Sequence, residues 1–111
     1  MGKIYIPDKC DVVWLDFDPQ AGHEQAGRRP AFVVSPEYYN SVSGLGIFCP
    51  ITNKIKNYPY EVAIPENSKI KGVILSDQLK SLDWRIRQVK FICKLSDEVF
   101  EEVKMKYNTL V

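Results

Sequence analysis

The chain has 111 residues, is 45% hydrophobic and 26% charged, and carries a formal net charge of +1. That length fits one domain spanning residues 1–111 and leaves no room for a second, and the hydrophobic fraction excludes an intrinsically disordered chain. A near-neutral balance does not by itself mark a nucleic-acid binder, and a core of this size is modest enough that pairing with a second copy would bury further apolar surface.

Val12 to Phe17 is a short apolar run of valines and aromatics, which predicts a strand buried on both faces. Asp18-Pro19 ends it, and the stretch from Gln20 to Pro30, with Gly22 and Gly27, reads as a long loop. Ala31 to Ser35 resumes as a strand, so the loop is expected to join a hairpin. It is longer than a tight hairpin needs, and long polar loops in compact domains are often functional. Pro36 to Asn40 fits a short helix or turn. Leu45 to Ile51 reads as a strand, with Pro50 arguing for a strand end or an edge. Thr52 to Tyr58 is a second polar loop, Tyr60 to Ile64 a strand, Pro65 to Lys71 a turn region and Val73 to Leu75 a short strand. Arg85 to Cys93 partly alternates, with Val89, Phe91 and Cys93 on one face. The period then changes. Ser96 is an N-cap, Asp97 and Glu98 suit the positive end of a helix, and Val99, Val103 and Tyr107, with Phe100 and Leu110, form an apolar stripe that packs on the core. The sum is a curled, mostly antiparallel sheet of short strands with a C-terminal helix, favouring a small barrel.

Three clusters hold side chains able to do chemistry. The first is Gly22-His23-Glu24-Gln25-Ala26-Gly27-Arg28-Arg29-Pro30, which places a possible base, a carboxylate, an amide and two guanidiniums in one loop. Cleaving a phosphodiester needs such types: something must take the proton from the attacking oxygen, and a cation must steady the charge that grows on phosphorus. The planar fork of arginine meets two phosphate oxygens at once. Solvated surface is the competing reading, and Arg29-Pro30 could simply enter the next strand. The second cluster is Pro50-Ile51-Thr52-Asn53-Lys54-Ile55-Lys56, where a hydroxyl at a strand end and two lysines could contact phosphate, or Thr52 could merely start a turn. The third runs from Ser76 through Asp77, Gln78 and Lys80 to Trp84 and Arg85, a mixture that could bind unstacked bases or a partner, with Trp84 equally fit for packing.

Charge adds a weak pointer. From Pro50 to Lys94 nine Lys or Arg face four Asp or Glu, a net +5, while residues 1–49 and 95–111 are each net −2, a pattern compatible with a polyanion site as well as with ordinary surface. Cys10, Cys49 and Cys93 are odd in number and widely spaced, which argues against a disulfide framework and a structural zinc site and for a reducing compartment. With one histidine and no ligand-like carboxylate spacing, neither a metal nor a cofactor is expected. The N-terminus has no long apolar stretch and nothing reaches membrane-spanning length, so the expectation is a cytoplasmic protein without membrane association.

At these clusters the chain resembles the MazF/PemK/Kid family of bacterial toxins, nearest to its MazF-like members, almost end to end. The likeness is carried by Ile6-Pro7-Asp8, Asp11 to Pro19, Gly22 to Pro30, Ser35-Pro36, Tyr39-Asn40, Pro50-Ile51-Thr52, Asp77 to Ser81 and the C-terminal helix. The Glu-Gln-x-Gly-x-Arg-Pro loop joined to a later Asp-Gln-x-x-x-x-Asp segment is its specific signature. The resemblance implies a mainly β, SH3-like antiparallel barrel of the CcdB/PemK type with a C-terminal helix, and a homodimer. It implies a type II toxin that cuts single-stranded mRNA sequence-selectively, without a metal, by attack of the 2′-hydroxyl. The products would be a 2′,3′-cyclic phosphate and a 5′-hydroxyl. It also implies a cognate antitoxin with an acidic, disordered C-terminal segment. In MazF-like members catalysis rests on the positions matched by Arg29 and Thr52, with Glu24 as base or as orienter of Arg29. Kid-like members use a histidine, an arginine and an aspartate. His23 and Asp77 match two of these, but Leu75 stands at the third, so His23 is expected to modify the site or touch RNA. His23, Gln25, Arg28, Lys54, Lys56, Asp77, Gln78, Lys80 and Arg85 are the expected substrate contacts. The alternative is a non-catalytic, topoisomerase-binding toxin like CcdB. Such proteins end in Trp-Gly-Ile, whereas this chain ends Asn108-Thr109-Leu110-Val111, and they lack the Glu-x-x-x-x-Arg-Pro loop.

Overall fold

A computed structural model describes residues 4–18 and 27–111. In chain order it contains β1 (Asp11–Asp16), β2 (Arg28–Val33), α1 (Glu37–Ser43), β3 (Leu45–Thr52), β4 (Glu61–Ala63), β5 (Val73–Leu75), β6 (Lys80–Asp83), β7 (Lys90–Lys94) and α2 (Asp97–Tyr107), with a 3-10 turn over Asn108–Leu110. The strands run in the order β4-β5-β3-β2-β1-β7, with β6 also paired to β3, and every pairing among the described residues is antiparallel. The expected mainly β, curled, barrel-like architecture with a C-terminal helix is what forms.

The apolar run of β1 is explained by burial on two faces. Val12 joins one core cluster with Phe32, Cys49, Ile51 and Ile74, which α2 covers with Val99, Phe100 and Val103. Val13 and Leu15 join a second cluster with Ala31, Val33, Phe48 and Trp84. Residues 31 to 33 and 47 to 49 alternate between the two clusters, the period-2 signature of a strand buried on both sides. The hairpin of β1 and β2 forms as expected, with Val12 opposite Phe32 and Leu15 opposite Arg29. Ser96 does cap α2, its hydroxyl accepting the Val99 N–H at 3.4 Å.

Five local expectations are corrected. Strand β2 begins at Arg28, not Ala31, because Arg28 to Pro30 pair with Asp16 to Trp14. Pro50 lies in a central strand: along β3 the pairing with β6 ends at Phe48 and the pairing with β5 begins at Ile51, so the side of Pro50 away from β2 faces a gap where no ladder bond is needed. Lys80–Asp83, read as a polar cluster, is a strand because its backbone pairs with Leu45–Phe48. Arg85 to Gln88 is a turn, and a register shift between Val12 and Val13 separates the side chains expected on one face: Val89 packs on the second cluster, Cys93 on the first, and Phe91 stands against Tyr5. Leu110 leaves the helical stripe and is 51% exposed in the terminal turn.

Candidate active site

The ends of three strands meet at one side of the sheet. Arg29 stands on β2, Thr52 ends β3, and Leu75 ends β5 just before Asp77 and Gln78. The Arg29 guanidinium reaches the Ile51 carbonyl at 3.5 Å, which holds it beside Thr52. The Thr52 hydroxyl accepts the Lys54 N–H at 3.1 Å, so Thr52 does start a turn, and that bond leaves its own proton available to donate. Gly72, at φ +121, runs so close beneath that a Cβ there would lie 2.3 Å from the Thr52 carbonyl, which explains a glycine at that point.

The loop from 53 to 60 is closed by Glu61. Its carboxylate accepts the Lys56 N–H at 3.0 Å and its own N–H donates to the Tyr58 carbonyl at 3.0 Å. On the facing side, the Ser76 N–H donates to the Tyr60 carbonyl and the Gln78 N–H to the Leu75 carbonyl, each at 3.1 Å, fixing a tight turn that presents Asp77. One Asp77 carboxylate oxygen is buried with no hydrogen-bond partner among the described residues. The Tyr58 hydroxyl faces Asp77, and that hydrogen bond and charge push its pKa up. These segments bound an open groove of about 720 Å³, lined by Arg29, Thr52, Lys54, Lys56, Asp77 and Gln78 among others. Three cations line a cleft that also offers a hydroxyl, an amide and a carboxylate, the set a phosphodiester needs.

Six of the expected residues therefore come together. Arg28 does not line the groove; it pairs with Asp16 at 3.3 Å on the outer side of the hairpin. Lys80 sits on β6 opposite Phe48, and it too is absent from the groove wall. Arg85 lies on the 84–88 turn, beside Asp83 at 3.7 Å and so close to Gly44 that a Cβ there would touch its guanidinium, far round the sheet from Thr52. Trp84 is packing: it is 5% exposed and its indole N–H donates to the Asn40 carbonyl at 3.1 Å. His23, Glu24 and Gln25 lie outside the described residues. Leu75 also lines the groove and adds an apolar side chain to its wall. The sequence reading missed Tyr58; an aromatic inside a polar, lysine-bearing loop was the available signal.

Among the described residues no group of three or more His, Cys, Asp or Glu side chains is placed to hold a metal ion, and no helix is long and apolar enough to cross a membrane. The Cys10 and Cys49 thiols are pushed up to about 11 and about 12, chiefly by burial, so both stay protonated at neutral pH.

Residues 8–111 match the model of the PemK-like, MazF-like toxin of type II toxin–antitoxin systems. The chain is 42% identical to the endoribonuclease toxin MazF of Escherichia coli strain K12, over 96% of each chain. A crystal structure of MazF from Deinococcus radiodurans superposes with a TM-score of 0.94 at 48% identity, covering 96% of this chain and 97% of that one. A MazE-MazF structure from the same organism superposes at 0.87, again at 48% identity and over 96% of each chain. A family-model match over nearly the whole chain, together with these relatives, makes this protein a member of the PemK-like, MazF-like toxin family of type II toxin–antitoxin systems.

Proposed function

We propose that this chain is the toxin of a type II toxin–antitoxin system, an endoribonuclease that cuts single-stranded mRNA in the cytoplasm at chosen sequences and so stops translation and growth. The observation that carries the reading is the groove that joins Arg29 to Thr52 with lysines at its rim, in a chain whose relatives bear the name endoribonuclease. The ribose 2′-hydroxyl attacks the adjacent phosphorus, and the 5′-oxygen of the next nucleotide leaves. The products are a 2′,3′-cyclic phosphate and a 5′-hydroxyl. Arg29 stabilises the extra negative charge on the phosphorane oxygens, and Thr52 donates a hydrogen bond to one of them. Glu24 takes the 2′-hydroxyl proton, or orients Arg29 while solvent takes it, and the leaving 5′-oxygen is protonated by the acid so formed or by water. Each role asked of a side chain in this reading is a proton transfer or a charge stabilisation, so the reading calls for no metal or cofactor.

Lys54 and Lys56 hold the strand by its phosphates, Asp77 and Gln78 read base edges, and His23 and Gln25 contact RNA from the first loop. Arg28, Lys80 and Arg85, outside the groove, can act only on flanking nucleotides. The protein works as a homodimer. A MazE-MazF structure superposes on this chain, and the corresponding partner here is a cognate antitoxin. Its acidic, disordered C-terminal segment lies in the RNA groove with carboxylates in the phosphate places. The CcdB-like alternative has no observation in its favour.

The test is cleavage of a defined RNA by purified protein in EDTA. Cutting should persist, leave the cyclic phosphate, fail when the 2′-hydroxyl at the cut site is replaced by hydrogen, and slow sharply on a duplex. Cleavage of the deoxy substrate, or strict dependence on added magnesium, would sink the mechanism.

A further inference from the structure

Arg29 belongs to the last pairs of the β1–β2 hairpin, where Leu15 faces Arg29 and Asp16 faces Arg28. On its other side β1 is supported by β7 only as far as Trp14, opposite Lys90. Beyond that the chain has turned away through residues 84–88, with Gln88 in the left-handed region at φ +53. The Asp16 N–H and C=O both point to this vacated side and would face an open sheet edge. Arg87 meets both. Its backbone carbonyl accepts the Asp16 N–H at 3.0 Å, and its guanidinium donates to the Asp16 carbonyl at 3.0 Å. The same nitrogen donates to the Asp18 carbonyl at 2.8 Å. Across the hairpin, the Phe17 N–H donates to the Gly27 carbonyl at 2.9 Å and the Gly27 N–H to the Asp18 carboxylate at 3.0 Å. One arginine, 71 residues from Asp16, thus stands in for the missing strand partner at the point where the hairpin delivers Arg28 and Arg29.

We infer that Arg87 is a positioning residue for RNA cleavage, acting through the backbone of Asp16 and Asp18 to hold the mouth of the β1–β2 hairpin in the register that points Arg29 into the groove. Arg87 does not line that groove, so it acts on the reaction through Arg29 rather than on RNA. An arginine suits this role because one planar, permanently charged group satisfies two carbonyls, which a lysine ammonium would do with looser geometry. Misplacing a catalytic group by about 1 Å from a remote change can cost roughly 100-fold in rate.

The inference rests on the proposed endoribonuclease reading, and the test separates the two. Arg87→Ala and Arg87→Lys are compared with wild type for single-turnover cleavage, affinity for the 2′-deoxy RNA and amide hydrogen exchange. For Arg87→Ala, cleavage should fall about 100-fold while affinity stays within about threefold. The Asp16, Phe17 and Gly27 amides should exchange about tenfold faster or more, with Val33 and Phe48 unchanged. Arg87→Lys should recover part of the rate and part of the protection together, and it carries the comparison should the alanine variant not fold. Unchanged cleavage, affinity falling in step with rate, or core amides loosening as much as the hairpin mouth would each overturn the inference. Failure of the wild-type protein to cut RNA would instead remove the proposed function, while the exchange of the hairpin amides would still decide whether Arg87 holds β1.

Discussion

The two ends of β3 carry polar side chains of similar kinds and use them in opposite ways. At the Leu45 end, Asn40 is wholly buried; its amide N–H groups donate to the carbonyls of Pro7 at 2.7 Å and Ser35 at 3.0 Å. Its amide oxygen accepts the Ser35 hydroxyl at 2.6 Å, that hydroxyl accepts the Ile47 N–H at 2.8 Å, and Trp84 donates to the Asn40 carbonyl at 3.1 Å. At the Thr52 end, the hydroxyl keeps a proton to donate, Lys54 and Lys56 are exposed, and Asp77 has a buried oxygen without a described partner. A polar knot with its capacity consumed internally specifies a fold; a polar groove with capacity left over is built for a ligand. Both ends lie within residues 8–111 that match the family model, so a match does not by itself separate chemistry from architecture.

Substitutions on either side should break this contrast in different observables. The largest effect is expected from Arg29→Ala, which removes about 3–4 kcal/mol of transition-state stabilisation, by analogy with a lost oxyanion donor. Its thermal midpoint should hardly move. A folded Arg29→Ala protein with near-normal turnover would place the site elsewhere. Asn40→Ala should do the reverse: stranding buried carbonyls and a hydroxyl at about 1–3 kcal/mol per lost partner, it should lower the urea midpoint strongly while cleavage per folded molecule holds. Loss of rate without loss of stability would make the Leu45 end functional after all.

Smaller effects sharpen the same comparison. Trp84→Phe keeps most of the ring but removes one of the two N–H donors to the Asn40 carbonyl, which retains the Gly44 N–H, a cost of about 1 kcal/mol, and should leave RNA affinity unchanged. A clear fall in affinity would restore Trp84 as a base contact. The mildest effect comes from the middle of β3. Burial, helped by the Asp77 charge, pushes Cys49 up to about 12 from 9.0. A folded-state pKa above the unfolded one gives stability that is complete below about pH 9 and is lost as pH climbs toward 12. Denaturation midpoints should therefore decline above pH 9, and Cys49→Ala should flatten that decline. An unchanged slope would show that other groups cause it.

Much of this protein was legible because it depends on neighbours in sequence. The Val12 to Phe17 run, observed as a strand over Asp11–Asp16, the Ser96 cap and the Val99, Phe100, Val103 part of the stripe follow from period and local hydrogen bonding. Arg29 beside Pro30 and Thr52 after Pro50-Ile51 could be singled out as types, since phosphodiester chemistry asks for a guanidinium and a donor. The long polar loop also announced itself, although its His23, Glu24 and Gln25 lie outside the described residues.

What the sequence did not contain is which distant segments meet. A backbone pairs with whatever strand lies alongside, so Lys80–Asp83 became β6 only because Leu45–Phe48 offered open ladder groups. Pro50 is tolerated in a central strand only because β5 and β6 leave a gap there. Trp84 was turned from a possible base platform into core by Asn40, 44 residues away, and Arg85 was carried to the Gly44 side by the turn that follows β6. Local chemistry, then, determined which side chains could serve a nuclease. Long-range packing decided which of them share a groove, because hydrogen bonding and burial reward contacts in space without regard to their separation along the chain.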